Sequence, residues 1–235
     1  MITNSSSTAT RYLSPQHAPG TLPVPISECQ HYYHTLLRSL PLRSNGVNHP
    51  IATLGFTSCY SGEGVSTVAV QLSLAAASTG LRVLLVDLNW KRPSVHTTFN
   101  VPPSPGLIDV LASDGDMEVP VQASHIPNLY LLLAGSSQRD FNQATSLEKI
   151  GELIRSLRVD YDLIVFDLLA SADAGTSLSL ASLLDGVVLV VESERVRWEV
   201  ASRVQDLLSR SGAKVLGAVL NKRRQHIPNW LYRTL

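Results

Sequence analysis

The apolar residues of this chain fall into compact blocks separated by stretches of helical spacing. Blocks at 51–58, 82–87, 128–134, 163–167, 186–192 and 214–220 are mostly apolar, and all but the first are dominated by Val, Ile and Leu. Such runs, without polar alternation, predict strands buried on both faces of a parallel sheet. Between them the apolar residues recur every three to four positions. Val68, Leu72, Ala75 and Ala76 predict a helix over 66–78 that stops at Gly80. Leu147, Ile150, Ile154 and Leu157 predict another over 146–158. Pro105-Gly106 opens a short helix over 107–112, and further helices are expected at 174–184 and 195–211. Upstream, Tyr33, Leu36, Leu37 and Leu40 line one face of a helix over 28–40, with Ser27 as its cap and Pro41 as its stop. This alternation predicts one doubly wound α/β domain with a mostly parallel sheet and right-handed crossovers. The first 27 residues, rich in Ser, Thr, Pro and Gly without apolar period, read as a disordered segment. The organisation expected is therefore that segment, a domain over 28–222 and a basic tail over 223–235, without internal repeat.

Composition narrows the functional classes. In 235 residues, 19 basic and 19 acidic side chains cancel, which argues against a nucleic-acid binder. The cysteines, Cys29 and Cys59, have neither metal-ligand nor redox spacing, and the seven histidines show no helical metal pair. No charged start followed by an apolar segment marks a secretory signal. The most apolar stretch, 178–191, is interrupted by Asp185-Gly186 and falls short of the roughly 20 residues of a membrane span. A cytoplasmic protein is expected, held by a partner if it works at a membrane.

The chemistry gathers where strands end. In open parallel sheets ligands bind beyond the carboxyl ends of the strands. Here those ends carry Ser58 with a glycine-rich loop, then Asp87, Asp167 and Asn221. The loop, residues 57–67, has the outline of G-x-x-x-x-G-K-[ST], in which backbone N–H groups and a lysine hold phosphates. Gly62, Glu63, Gly64, Ser66 and Thr67 fit it; Val65 stands where the lysine belongs, and Cys59 opens the pattern. The same glycines also serve a plain strand-to-helix turn. Asp87 and Asp167 suit Mg²⁺ beside a triphosphate, and equally suit the capping of a following turn. Cys59 is either a reactive thiol near a helix start or an ordinary small loop residue. The run Lys222-Arg223-Arg224, with Trp230, Tyr232 and Arg233, reads as a solvated tail or as a surface for anionic lipid, protein or nucleic acid, the last disfavoured by the zero net charge.

Four segments together resemble a known family. They are Thr57-Ser58 with Gly62-Glu63-Gly64 and Ser66-Thr67, the strand ending at Asp87 with Lys91-Arg92-Pro93, the strand from Tyr161-Asp162 to Asp167, and the strand from Leu216 to Asn221. In order and spacing they resemble the bacterial tyrosine kinases of capsule and exopolysaccharide synthesis, a branch of the deviant P-loop ATPases that includes MinD and ParA. The likeness covers roughly residues 28–222. It implies a P-loop NTPase fold, ATP or ADP with Mg²⁺ as ligand, Ser66 as the metal-binding hydroxyl and Asn221 facing the adenine. It also implies a membrane-embedded, Wzz-like polysaccharide co-polymerase as partner.

The chain departs from the family pattern at several points. The family loop reads P-G-E-G-K-S-T, and Val65 replaces its lysine. In the family motif D-x-D-L-R-R-P, Asp87 matches the first aspartate and Asn89 replaces the second. In D-x-P-P, Asp167 is kept and Leu168-Leu169-Ala170 replaces the rest. The E-x-x-R-x-x-R run of ring assembly aligns with His31, His34 and Leu37, and the C-terminal tyrosine cluster is reduced to Tyr232. A monomer or small oligomer is expected. A charge-assisted hydrogen bond contributes about 1.5–3 kcal/mol, so losing the lysine weakens ground-state nucleotide binding roughly ten- to a hundred-fold. The cost to phosphoryl transfer is larger, because the lysine neutralises charge that develops in the transition state. Lys91 is the nearest replacement cation in the motif set. The expected function is a catalytically impaired scaffold or regulator of polysaccharide polymerisation and export. The alternatives are an active tyrosine autokinase or ATPase, and a ParA- or MinD-like positioning ATPase.

Overall fold

The structure is a computed structural model and describes residues 26–42, 51–112, 118–135, 143–171 and 175–223. The strands are β1 (Thr53–Ser58), β2 (Val83–Asp87), β3 (Gln122–Ala123), β4 (Leu129–Leu132), β5 (Leu163–Asp167), β6 (Gly186–Glu192) and β7 (Val215–Asn221). The helices are α1 (Ile26–Ser39), α2 (Val65–Ser78), α3 (Val95–Phe99), α4 (Leu107–Leu111), α5 (Gln143–Leu157), α6 (Gly175–Ala181) and α7 (Trp198–Arg210). The strands form one sheet in the order β3-β4-β2-β5-β1-β6-β7, parallel except for the antiparallel edge pair β3 and β4.

The side-chain period of two explains why this sheet needs helices on both faces. Leu54, Phe56, Val83, Leu85, Leu163 and Val165 point to one side, where Leu37 of α1, Leu40 just past its end and Val68 and Leu72 of α2 complete a core. Leu84, Val86, Ile164, Phe166, Val187 and Leu189 point to the other, against Ile150, Ile154 and Leu157 of α5, Leu180 of α6 and Leu208 of α7. The chain winds from central β1 toward β2 and β4, returns to insert β5 beside β1, then crosses to β6 and β7. That reversal opens a crevice at the carboxyl end of β1.

The amino end of the sheet is held by one polar cluster. The Asp185 carboxylate accepts the N–H groups of Ala52 and Thr53, both at 2.9 Å, and pairs with Arg158 at 2.8 Å. Burial alone raises its pKa, but the Arg158 guanidinium and the two N–H donors bring it below the ordinary carboxylate value.

The order of main strands and helices is the one the periodicity predicts, but α5 starts at Gln143 instead of 146, α6 ends at Ala181 instead of 184, and three further features differ. Ser27 is not a cap, because α1 already includes Ile26. The short α3 and β3 are additional elements, too brief to display a period. The last long helix begins at Trp198 rather than at 195, because Arg195 and Val196 still donate their N–H groups to the Glu192 carbonyl in a turn. The expectations for the N-terminal segment over 1–25 and for Arg224, Trp230, Tyr232 and Arg233 lie outside the described residues.

Candidate functional site

The crevice beyond β1 is built by the turn from β1 into α2. Gly62 at φ 88° and Gly64 at φ 92° occupy the left-handed region that residues with a Cβ rarely adopt. Gly64 precedes the first turn of α2, and a Cβ there would run into the Asn221 side-chain amide. No side chain caps that helix start, so its backbone N–H groups face the crevice as an anion-binding cradle. Ser66, Thr67, Asn89, Lys91, Arg92 and Lys222 are among the residues lining the resulting cleft of about 470 Å³.

Glu63 turns away from it. Its buried carboxylate accepts the Cys59 N–H at 3.2 Å, while Oε1 has no partner among the described residues. Burial raises the Glu63 pKa, and burial together with Glu63 pushes the Cys59 thiol up to about 11. Of the two readings of Cys59, the reactive thiol therefore fails: it is buried and protonated at neutral pH. Val65 lines the cleft but is only 8% exposed and packs into the apolar core under α2. The position that carries a lysine in the motif contributes nothing polar to the cleft.

The two strand-end aspartates differ in their surroundings. Asp87 Oδ1 accepts the Asn89 N–H at 3.0 Å, and Oδ2 accepts those of Ser94 at 3.2 Å and Val95 at 3.3 Å. It organises the loop between β2 and α3, which is its capping reading. Burial raises its pKa, and those donors partly offset the rise. Asn89 works in the same turn, with Oδ1 accepting the Arg92 N–H at 3.3 Å; the Arg92 guanidinium donates to Ser61 Oγ at 3.3 Å and ties this loop to the glycine loop. Asp167 caps nothing. It is fully buried, and neither carboxylate oxygen has a hydrogen-bond partner among the described residues. Burial and then the Asp87 charge raise its pKa to about 8, with the Ser66 hydroxyl a partial offset.

An unpartnered buried carboxylate needs a proton or a cation. Asp167, Asp87 and the Ser66 hydroxyl offer the hard oxygen donors that Mg²⁺ takes. Among the described residues no group of three His, Cys, Asp or Glu side chains assembles.

The segment after Asp167 closes the cleft with an apolar wall. Leu168, Leu169 and Ala170 are buried. The Leu168 N–H donates to the Phe56 carbonyl at 2.9 Å, and Thr57 Oγ1 and Ser177 Oγ both donate to the Leu169 carbonyl, at 2.7 and 2.8 Å. The wall is thus locked to β1.

Asn221 and Lys222 approach from the end of β7. Asn221 Nδ2 donates to the Glu63 carbonyl at 2.9 Å, so its amide braces the loop. Lys222, at φ 54°, folds back so that Nζ donates to the Gly62 carbonyl at 2.6 Å. It also meets Glu192 at 3.3 Å, a carboxylate that Arg195 holds at 2.8 Å. Lys91, the cation that the motif spacing singles out, lines the cleft as well. Sequence reasoning missed Lys222 because it grouped that residue with Arg223 and Arg224 as one basic run at the edge of the domain. The available signal was its position directly after Asn221, at a carboxyl strand end.

Known proteins resemble this chain in sequence and in fold. Tyrosine-protein kinase YwqD of Bacillus subtilis is 33% identical over 195 residues, spanning 82% of this chain and 80% of YwqD. The chain belongs to the bacterial tyrosine kinase family. The succinoglycan biosynthesis transport protein ExoP of Rhizobium meliloti is 29% identical over 72% of this chain, a region that makes up 22% of ExoP. Among solved structures, the VpsO kinase domain superposes with a TM-score of 0.70 at 27% identity, covering 83% of this chain and 96% of that domain. The septum site-determining protein MinD of Pyrococcus horikoshii, solved with Mg-ADP, superposes with a TM-score of 0.62 at 26% identity over 77% of this chain and 76% of MinD. The fold is thus that of the MinD-like P-loop NTPases. No protein-family model matches the chain.

Proposed function

We propose that this chain is a catalytically impaired bacterial tyrosine kinase homologue. It binds ATP or ADP with Mg²⁺ weakly, and it regulates or scaffolds exopolysaccharide polymerisation and export by docking on a membrane-embedded co-polymerase. The observation that carries the first part is the contrast within one cleft. The glycine cradle, Ser66 and the unpartnered Asp167 are present, while Val65 lies in the apolar core.

The residues divide the work accordingly. The N–H groups at the start of α2 hold phosphate oxygens, and the Ser66 hydroxyl and the two strand-end aspartates hold the metal. Bound Mg²⁺ would offset phosphate charge. Asn89 is neutral and engaged in its turn, so it neither accepts a substrate proton nor adds charge beside a metal. The Leu168-Leu169-Ala170 wall excludes water without offering an acid or base. Binding is retained on these terms, and phosphoryl transfer lacks both the lysine that the motif places at position 65 and a base at position 89.

The polysaccharide role rests on the relatives, ExoP foremost, whose name states succinoglycan biosynthesis transport. Among the described residues no helix is long and apolar enough to cross a membrane. Affinity capture of the full chain from membranes of its host tests the docking. Recovery of a polysaccharide co-polymerase is expected, and its consistent absence contradicts the scaffold role.

One observation favours a second reading, an active autokinase. Ser66, Asp87 and Asp167, the residues that the family resemblance assigns to the metal, are all kept beside the glycine loop. Phosphotyrosine formation by the unmodified chain separates the two.

A further inference from the structure

We infer that Lys222 supplies the phosphate-binding charge that Val65 cannot, so that the cation of this nucleotide site comes from the end of β7 instead of the start of α2. The inference rests on the nucleotide-binding reading above and adds to it a specific residue.

Three observations support it. The Lys222 ammonium already sits on the glycine loop, 2.6 Å from the Gly62 carbonyl, and the residue lines the same cleft as Ser66 and Thr67. Its backbone is in the left-handed region at φ 54°, unusual for a residue with a Cβ, and that bend turns the side chain back over the loop instead of along the strand. Finally, its present partners are easily given up. Gly62 is exposed, so water replaces Lys222 at its carbonyl. Glu192 keeps Arg195 at 2.8 Å when Lys222 leaves. The exposed pair Lys222–Glu192 is worth little in water. A four-carbon stem with rotatable bonds then carries the ammonium from the carbonyl to a phosphate oxygen in the cradle. A nucleoside di- or triphosphate offers that oxygen, and exchanging a neutral carbonyl for a phosphate strengthens the hydrogen bond.

The alternative role for Lys222 is simply to brace the loop through Gly62. Titration of a fluorescent ADP analogue with Mg²⁺ into the intact chain distinguishes the two, using Lys222→Ala, Lys222→Gln, Lys222→Arg and Lys91→Ala. A phosphate-binding charge predicts that Ala and Gln each weaken binding about ten-fold or more, that Arg retains most of it, and that melting temperatures stay close to the parent's. Lys91→Ala is expected to change affinity by less than either. Gln retains a donor for the Gly62 carbonyl, so binding by Lys222→Gln at the parent's level overturns the inference in favour of bracing. Parent-like binding by Lys222→Ala overturns it outright while leaving nucleotide binding intact. A parent chain that binds no ADP at all overturns both this inference and the reading on which it rests.

Discussion

Asp87 and Asp167 stand side by side in register on β2 and β5, yet three backbone N–H groups satisfy Asp87 and none reaches the carboxylate of Asp167. Two carboxyl groups of the same type at equivalent strand ends have thus been given different work. Asp87 shapes the loop toward α3, and Asp167 is left for a proton or a cation.

In protein free of nucleotide and metal, this difference sets a pH dependence. The folded pKa of Asp167, about 8, lies above its unfolded value of about 4. The folded state therefore holds a proton that the unfolded state releases, and stability from this group is full below pH 4 and lost as pH rises through about 8. Asp167→Asn carries no such ionisation. Its melting temperature relative to the parent is expected to climb between about pH 4 and pH 8. A difference that stays flat across that range would show that Asp167 ionises without penalty.

Asp185 has the opposite sign. Its folded pKa is depressed, so its contribution is present above the unfolded pKa of about 4 and disappears as pH falls through the folded value. Asp185→Ala leaves the Ala52 and Thr53 N–H groups without their acceptor and Arg158 with Thr53 Oγ1 alone, and is expected to cost roughly 1–3 kcal/mol at neutral pH. Denaturant unfolding at pH 7 and pH 3 measures this, with the gap between variant and parent narrowing at the lower pH.

Val65→Lys tests the missing cation from the other side. A lysine there must leave the apolar core to reach the cleft, so stability falls by roughly 1–3 kcal/mol. Affinity for Mg-ADP is expected to rise about ten-fold. Weaker binding than the parent would mean that residue 65 does not address the phosphate position.

Cys59 should be unreactive. Tested on a Cys29→Ser background at pH 8, a thiol with a pKa near 11 is expected to react with iodoacetamide about 100-fold more slowly than an ordinary cysteine, and at the ordinary rate in denaturant. Rapid alkylation of the folded protein would place this thiol outside the buried loop.

Much of this was legible in the sequence because burial writes itself into composition. Strands covered on both faces read as Val, Ile and Leu blocks, and the ends of those blocks located Ser58, Asp87, Asp167 and Asn221. Gly62 and Gly64 were legible because few other residues adopt their backbone conformation. What could not be read were contacts that depend on side-chain direction. Nothing in the spacing says that Asp87 is taken up by Ser94 and Val95 while Asp167 is left bare. Lys222 is separated from Gly62 by 160 positions, and only the end of β7 beside β6 brings them together. The turn that delays α7 to Trp198 was equally hidden, since Arg195 and Val196 continue the helical pattern but spend their N–H groups on Glu192.

The central claim, that this cleft keeps a nucleotide without using it, is tested most directly by incubating the purified chain with Mg-ATP and following binding and turnover in the same sample. The account predicts saturable ATP binding with neither phosphotyrosine nor ADP release above background. Phosphotyrosine on the unmodified chain, or sustained ADP release that Asp167→Asn abolishes, would contradict it.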